Sequence, residues 1–452
     1  MVRLIVYLVL VLVVSSVAAF LAEVPGQVSI RWLGQRIDTS VAALVLLAAL
    51  IAAAVAGLEW ALMRLAGALG LAKDRRIQRR KIQGYKTLNK ALAALASGEE
   101  GEAKRLTGRA AALLPDEPLS HVMAAEAARL AGDDALRREH LKRLSDRDET
   151  AFLGLRGQVE AARRQGRTGE MLALLDRALT VRPNSRWARL QRLETLKLAG
   201  RWAEARDAVD PTVKAGAMTA QEAKRMRAVL SHCMAVEAEA IGDMESARRL
   251  AHKAHAALPD FIPAAVLEAR LAARNGEKGK AHRVLKQTFV KRPHPDLAEA
   301  EAAVFKADQP ATRLSRLKAL MPRGDSPAEA HLLLGQWAAA AGQTVEAHKQ
   351  LDPLAERHND SRVMAALAQT AEAENGADDP QTEKWRGLAQ AAPAASGYWQ
   401  CERCSATRQS WAPLCRTCQA FDSHRWIGLG ETPVQPKVSD SDAPEAALLE
   451  GA

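Results

Sequence analysis

The chain has 452 residues, room for two or three domains, and its 48% hydrophobic and 26% charged residues exclude a chain that is disordered throughout. Aromatic residues make up only 4%, and a core of mostly Ala and Leu suits close-packed helices, so the composition predicts an all-α fold. The formal net charge of +10 is typical of nucleic-acid-binding proteins, but the sequence has neither an RNP-like strand nor a helix-turn-helix signature. We therefore expect no nucleic-acid partner.

Two long apolar runs begin the chain, Leu4 to Ala22 and Val41 to Met63, of 19 and 23 residues. About 20 apolar residues cross a bilayer as a helix, so residues 1–64 are predicted to form a two-helix transmembrane hairpin with spans at about 4–22 and 41–63. The alternative for the first run is a cleaved signal peptide, because a charged start and small residues near Ala18 fit one. The length of that run and the stronger basic flank of the second favour the hairpin.

Most of the net charge follows the second run directly, because residues 64–81 contain seven Lys or Arg and one Asp. The positive-inside rule then puts both outer ends of the hairpin, and the chain behind them, in the cytoplasm. Residues 65–82 form the basic juxtamembrane segment, and residues 64–81 are expected to contact anionic lipid head groups. Between the spans, residues 23–40 are predicted to form a turn at Pro25-Gly26 and a strand through Val28, Ile30 and Trp32.

This N-terminal region resembles that of the HemY family of bacterial inner-membrane proteins over roughly the first 80 residues. The resemblance is carried by the two runs, the Pro-Gly exit from the first, and Ile30-Arg31-Trp32, then Gly34, then Ile37 to Ser40. It implies a bacterial inner-membrane location, tetratricopeptide repeats behind the hairpin, and a link to late haem or porphyrin metabolism.

Glycines recur with a fixed period behind the basic segment. Gly98, Gly132, Gly166 and Gly200 are each 34 residues apart, which is the tetratricopeptide signature. The series continues at Gly242, Gly276, Gly342 and Gly376, with steps of 42, 34, 66 and 34 that indicate one insertion and one missing turn glycine. An Ala recurs five residues after many of these glycines, and a Pro recurs seventeen residues after several of them. The pattern predicts a helical solenoid over residues 83–392, with irregular units at 132–165 and 308–341.

The solenoid is predicted to bind and not to catalyse. It contains no Gly-rich phosphate loop, HExxH helix or GxSxG elbow, so neither catalytic nor cofactor-binding residues are expected. Repeat grooves bind helices or extended peptides, and other proteins are the expected partners. His232 and Cys233 lie in an apolar run and are predicted to be buried structural residues.

Four cysteines near the C-terminus have the spacing of a metal site: Cys401, Cys404, Cys415 and Cys418 form two CxxC pairs ten residues apart. Two such turns can direct four thiolates at one ion, which predicts a rubredoxin-like or zinc-ribbon module over residues 398–428. Trp399, Trp411, Phe421 and Trp426 are predicted to supply apolar cover for this module. Zinc is favoured over iron, and a closed four-sulfur site is structural. The alternative of two redox pairs lacks the βαβ setting that such chemistry needs. His424 is a possible substitute ligand, but four cysteines leave it no vacancy.

This module is similar to the C-terminal tab of the lipopolysaccharide assembly protein B family, which has the same ten-residue gap. Beyond it, residues 431–452 are rich in Pro, Ser and acids and are predicted to be disordered. We interpret the chain as a non-enzymatic, inner-membrane protein-interaction scaffold, linked by the HemY resemblance to haem metabolism. The tab resemblance implies the alternative, an adaptor in envelope or lipopolysaccharide biogenesis that presents a biosynthetic enzyme to a membrane protease.

Overall fold

The computed structural model describes residues 26–32, 35–322, 324, 326–392 and 396–435, together with residues 12, 15, 16, 19 and 20. The chain divides into two compact units, Met1–His140 and Leu141–Ala452. Helices dominate the described residues, which confirms the predicted fold class, and two small β-sheets accompany them. The predicted disordered tail lies mostly outside the described residues and stays a prediction.

The first unit begins with an antiparallel β-hairpin. Strands β1 (Gln27–Trp32) and β2 (Gln35–Ser40) pair in a register that sets Gln27 opposite Ser40. The predicted strand is β1, whereas β2 was not predicted; Pro25 of the predicted turn lies outside the described residues. Ser40 then caps the following helix, because its hydroxyl accepts a hydrogen bond from the amide of Ala43 at 3.3 Å.

Helix α1 (Val41–Ala96) has 56 residues, about 84 Å at 1.5 Å per residue. Its first part, Val41–Arg64, has a mean hydropathy of 2.8, is not buried, and is long and apolar enough to cross a membrane. This is the length and composition expected of the second predicted span, which stays a prediction. The first predicted span, at about 4–22, lies largely outside the described residues. Helix α1 then continues without a break through the basic segment into the first repeat, so one helix carries all three predicted segments.

The repeats are antiparallel helix pairs. The last turns of α1 pack on α2 (Glu100–Leu113), and α3 (Pro118–Leu130) is followed by α4 (Asp134–Ser145). The second unit continues with α5 (Ala151–Arg164), α6 (Thr168–Val181), α7 (Arg186–Leu198), α8 (Trp202–Lys214), α9 (Ala220–Ala240), α10 (Met244–Ala257), α11 (Ile262–Arg274), α12 (Lys278–Lys291), α13 (Pro295–Phe305), α14 (Pro310–Leu320), α15 (Ala328–Ala340), α16 (Thr344–Arg357), α17 (Ser361–Asn375) and α18 (Pro380–Ala391).

The repeating sequence markers have the structural roles expected of them. All eight glycines of the series have φ between 66° and 95°, the left-handed conformation that lets the chain turn from the first to the second helix of a pair. The alanines five residues further on have no exposed surface, because the paired helices touch there: Ala103, Ala205, Ala247, Ala281 and Ala347. The prolines directly follow the C-cap residue of a second helix: Pro115, Pro183, Pro259 and Pro293.

Both irregular steps of the glycine series have a structural explanation. The step of 42 is eight residues longer than 34, and α9 is correspondingly eight residues longer than α11, with 21 against 13 residues. The step of 66 includes the pair α13 and α14, where Lys306 adopts the left-handed conformation with φ of 53° in place of a glycine. Because Lys306 stands where other units have a glycine, this unit matched the pattern poorly. The left-handed conformation costs a non-glycine residue about 1 kcal/mol.

A small antiparallel sheet follows the last repeat. It consists of β3 (Tyr398–Cys401), β4 (Thr407–Arg408) and β5 (His424–Ile427), in the order β4-β3-β5. This sheet and the loops between its strands form the predicted C-terminal module, and they bring the two CxxC segments to one place.

Candidate metal centre and its docking face

The two CxxC segments fold into turns of the same geometry. In the first, the amide of Cys401 donates to the carbonyl of Ala406 at 2.9 Å, and the amide of Ser405 donates back to the carbonyl of Cys401 at 2.9 Å. In the second, Cys415 and Gln419 make the corresponding hydrogen bonds at 3.0 and 2.9 Å. The fourth residue after each leading cysteine, Ser405 or Gln419, is left-handed, with φ of 58° and 57°. This strained conformation aims both thiols of each turn to the same side.

The four sulfur atoms meet in one cluster. Sγ of Cys401 lies 3.6 Å from Sγ of Cys418, Sγ of Cys404 lies 3.7 Å from Sγ of Cys415, and all four lie within 4.8 Å of one another. These separations are far beyond a disulfide bond, and a tetrahedral zinc site with Zn–S bonds of 2.3 Å needs sulfurs about 3.8 Å apart. The donor set therefore fits a four-coordinate metal ion, and it is the one such group among the described residues.

The surroundings of the cluster shift the pKa values of Cys401, Cys404 and Cys418 in different directions. Burial works to raise the pKa of Cys401, but hydrogen bonds from the Ser423 hydroxyl and from backbone amides of the turn outweigh it and lower that pKa to about 6. Burial and the neighbouring thiols raise the pKa of Cys418 to about 12, and burial raises that of Cys404. Four thiolates this close repel one another, so a divalent cation is the natural counterion for the cluster.

His424 is not part of the cluster. Its side chain is buried and its Nδ1 lies 3.0 Å from the carbonyl oxygen of Ala412, while burial lowers its pKa. The imidazole therefore joins β5 to the loop between the two turns. The prediction that four cysteines leave His424 no ligand position is consistent with this contact.

The module is packed against the repeats of its own unit. Trp399, Trp426 and Leu429 belong to the same buried apolar cluster as residues of α11 to α17. We call the repeat surface beneath the module the docking face, and it is formed mostly by first helices of the pairs: Lys197, Trp202, Arg225, His232, Phe261, His294, Glu329 and Arg362. The aromatic residues that the sequence suggested as cover for the module face these repeat residues instead.

At one end of the docking face, the second cysteine turn is held by charge and aromatic contacts. Phe421 lies 6.1 Å from the ring of Trp202, and Nζ of Lys197 sits 4.8 Å from the Phe421 ring centre. Arg225 makes two hydrogen bonds to the carboxylate of Asp422, at 2.6 and 3.2 Å. Burial raises the pKa of Asp422, and Arg225 opposes that shift. Arg225 lies in the first eight residues of α9, so the extra length of this helix supplies the contact.

The middle of the docking face is aromatic. Trp411, from the loop between the cysteine turns, packs edge-on against His232 and Phe261, with ring centres 5.4 and 5.1 Å away. His232 is buried, and burial lowers its pKa to about 4, so the imidazole is neutral. Cys233 beside it is 6% exposed, and burial raises its pKa to about 12. Both residues are buried as predicted, but part of what covers them is the module.

A second aromatic cluster lies at the start of α13. The ring of His294 is 4.1 Å from that of Trp426 and 5.4 Å from that of Trp399, and its Nδ1 accepts a hydrogen bond from the amide of Asp296. His294 is only 1% exposed, and burial lowers its pKa to about 3. A neutral histidine therefore caps the helix and stacks on the strands of the module.

The far end of the docking face is an ion-pair network. Arg362 binds both carboxylate oxygens of Glu329 at 2.8 Å, and Glu329 also accepts a hydrogen bond from the amide of Leu429 at 2.7 Å. Ser396 accepts from Arg362 at 3.0 Å and donates to the carboxylate of Asp360. The segment before β3 and the segment after β5 are thus both tied to the repeats.

The docked module leaves part of the first helices open. A cavity of about 620 Å3 lies over α11 and α13, beyond the ends that contact the module. Its floor is apolar, with Val266 and Ala300, and its rim carries Arg270, Arg274 and Glu299. Both arginines also pair with Glu239 of α9, at 2.5 and 2.7 Å.

Sequence reasoning brought the four cysteines together but missed the docking face. One available signal was the insertion of eight residues at α9, which was recognised without being connected to the module. A second was the concentration of Trp399, Trp411, Phe421 and Trp426 in a short segment of a chain with 4% aromatic residues. More aromatic surface than a module of about thirty residues can bury indicates a partner surface.

Fold and site together define the class: a membrane-associated helical-repeat protein of the tetratricopeptide type, with a C-terminal four-cysteine module that can hold a metal ion.

Comparison with known proteins makes this more specific. Residues 26–132 match the family model described as HemY protein N-terminus, which confirms the resemblance found in the sequence. The chain is also 27% identical over 444 residues to the protein named "Probable magnetosome protein Mms48" from Magnetospirillum gryphiswaldense, covering 94% of this chain and 93% of that protein.

Two solved structures match the repeats distantly. The structure of Naa15/Naa10 bound to HypK-THB has a TM-score of 0.42 and 15% sequence identity. The match covers 68% of this chain and about half (48%) of that one. A tetratricopeptide repeat protein from Parabacteroides merdae has a TM-score of 0.22 and 16% identity, covering 64% of this chain and 99% of that one. The fold assignment rests on the helix pairs themselves.

Proposed function

We propose that this protein is a non-enzymatic scaffold that holds protein partners at the bacterial inner membrane, with both termini and the repeats in the cytoplasm. The observation that carries the proposal is the open cavity over α11 and α13, because none of the residues that the structure describes covers this surface of the first helices. Val41–Arg64 supplies the anchor, and exposed Arg76, Arg79 and Lys81 behind it supply contacts for anionic lipid.

The chemistry of the cavity indicates the kind of partner. Val266, Ala300 and Val304 offer an apolar floor, and Arg270, Arg274 and Lys278 stand on one side of it. An amphipathic segment with acidic residues next to its apolar face would bury that floor and meet those cations. We therefore propose an acidic helical segment of a partner protein as the ligand of the cavity.

The cysteine cluster is proposed to hold Zn2+ through Cys401, Cys404, Cys415 and Cys418. Its support is the separation of the four sulfurs and the closed, tetrahedral donor set, which leaves no position for a substrate. Zinc bound there would have a structural role, and the residues around it would hold the module on the repeats. Iron is the less favoured occupant.

Two observations favour particular partners. The match to the HemY N-terminus supports partners in haem or porphyrin metabolism. The magnetosome relative, which matches over nearly its whole length, supports a second candidate, a role at the magnetosome membrane. An adaptor role in envelope biogenesis is the third possibility and has only the resemblance of the tab behind it.

Affinity capture of the full chain from solubilised membranes tests the scaffold. We expect Arg270→Glu with Arg274→Glu to lose the captured partner. The matched control, Arg283→Glu with Lys286→Glu, makes the same charge change on exposed residues of the second helix α12 and should retain it. The identity of the partner then separates porphyrin enzymes, magnetosome proteins and envelope enzymes. Equal capture by both variants, or no specific partner at all, would refute the use of this cavity.

A further inference from the structure

Three residues that hold the module on one end and the middle of the docking face lie within or just after the cysteine turns. Trp411 lies between Cys404 and Cys415, and Phe421 and Asp422 lie three and four residues after Cys418. Beyond the short strand β4, this loop is held within the module by few hydrogen bonds, among them that from the amide of Asp422 to the carbonyl of Pro413 at 2.8 Å. The positions of these three side chains therefore depend on closure of the cysteine cluster.

A module of this size cannot close by burying its own apolar surface. Its tryptophans face the repeats, and small four-cysteine modules draw most of their folding free energy from the metal. Without a bound metal ion, the two turns lose the bonds that would hold them together. Separation of the turns would withdraw Trp411 and Phe421 from α9 and α11.

Cys233 lies beneath the rings of Trp411 and Phe421, so the accessibility of its thiol reports whether they are in place. Cys233, on α9, is the one cysteine outside the cluster, and it shares a buried apolar group with Val229 and Phe261 against which Trp411 and Phe421 pack. The repeats bury the other side of this group through Ala254 and Ala264. When the module lies on the docking face, no reagent can reach the Cys233 thiol.

We propose that the metal in the cysteine cluster is a latch: when it is bound, the module covers the docking face, and when it is lost, the loop around Trp411 lifts and exposes Cys233 with the aromatic surface beside it. The latch goes beyond the proposed scaffold function and rests on the proposed metal. Metal loss would thus uncover His232, Phe261 and Trp202, against which the rings of the module pack.

The test is labelling of Cys233 by N-ethylmaleimide in the full chain, purified in detergent and loaded with one Zn2+, followed by mass spectrometry of the peptide that contains it. We expect slow labelling with zinc bound and labelling at least about tenfold faster after a chelator removes it, since opening becomes frequent. Circular dichroism at 222 nm reports whether the repeats stay helical. Rapid labelling of the four cluster cysteines with unchanged protection of Cys233 would show that docking does not need the metal.

A variant separates docking from folding of the module. Trp411→Ala keeps all four cysteines, so it should retain one zinc per chain yet label faster at Cys233. Trp337→Ala, a matched change on α15 where the ring stacks on Arg313, should leave Cys233 protected. If Trp411→Ala retains both zinc and full protection, the latch is wrong. A chain that binds no zinc refutes the metal proposal and the latch together. Partner capture enters neither readout, so the scaffold proposal stands or fails separately.

Discussion

The two ends of helices α11 and α13 have different surfaces. Their N-terminal ends carry Phe261 and His294, which are uncharged and buried under the module. Further along, the same helices carry Arg270, Arg274 and Glu299 around an open cavity. A segment of the same chain has a high effective concentration and needs only good packing, whereas a separate partner must be found by diffusion, which charge accelerates. The aromatic N-terminal ends therefore suit the module of the same chain, and the charged surface around the cavity suits a separate partner protein.

Replacing two of the proposed metal ligands should destabilise the docked module more than any other substitution below. Cys401→Ser with Cys415→Ser is expected to abolish zinc binding and to destabilise the module by on the order of 10 kcal/mol, because structural zinc contributes that much folding free energy. Zinc stoichiometry and amide hydrogen exchange over residues 398–427 measure both effects. Cys233→Ser is the control and should keep one zinc per chain. Zinc retained in full by the double variant would contradict the assignment.

The buried ion pair at the far end comes next in size. Arg362→Met leaves the carboxylates of Glu329 and Asp360 without their cation, and the side chain of Glu329 is only 6% exposed. Removing one member of a buried pair costs about 3–5 kcal/mol. We expect the free energy for opening of the Leu429 amide, measured by hydrogen exchange, to fall by that amount. Arg201→Met breaks the exposed pair with Glu204 and should cost less than about 1 kcal/mol. Equal effects of both variants would mean that the network does not hold the module.

Acid should weaken the covered region through its histidines. His232 stays neutral in the folded protein down to a pKa of about 4, whereas in the unfolded chain it takes up a proton near 6.5. The stability is therefore complete above pH 6.5 and falls as the pH is lowered toward 4, by about 2 kcal/mol at pH 5. Guanidinium titrations at pH 7 and 5 measure the drop. His232→Phe keeps an aromatic ring against Trp411 and should show a drop smaller by that amount; an identical drop would exclude His232 as its source.

Features that depend on local sequence were predictable. The turn glycines and the prolines at helix ends act within a few residues, and the CxxC spacing forms the cysteine turns without help from distant residues. The apolar length of Val41–Arg64 is likewise a property of one segment. One missing turn glycine was predicted within the step of 66, but its place at Lys306 was not, because no glycine marks it.

Docking of the module could not be predicted in the same way. Arg225 and Asp422 are 197 positions apart, and Glu329 and the Leu429 amide are 100 apart, so no periodicity connects them. The tryptophans were interpreted as cover for the module itself, because the sequence shows how many there are but not the repeat surface that they contact. Only the stacking of the helix pairs brings residues of six repeats into one face that these rings can cover.

A double-mutant cycle between Arg225 and Asp422 tests the central claim, that the module lies on its own repeats. Arg225→Gln removes the cation, and Asp422→Asn removes the charge while keeping a residue that tolerates φ of 51°. Their effects on the free energy of unfolding are measured singly and together in the full chain. Docking predicts a coupling energy of about 1 kcal/mol, as expected for a half-exposed pair, and strict additivity would contradict it.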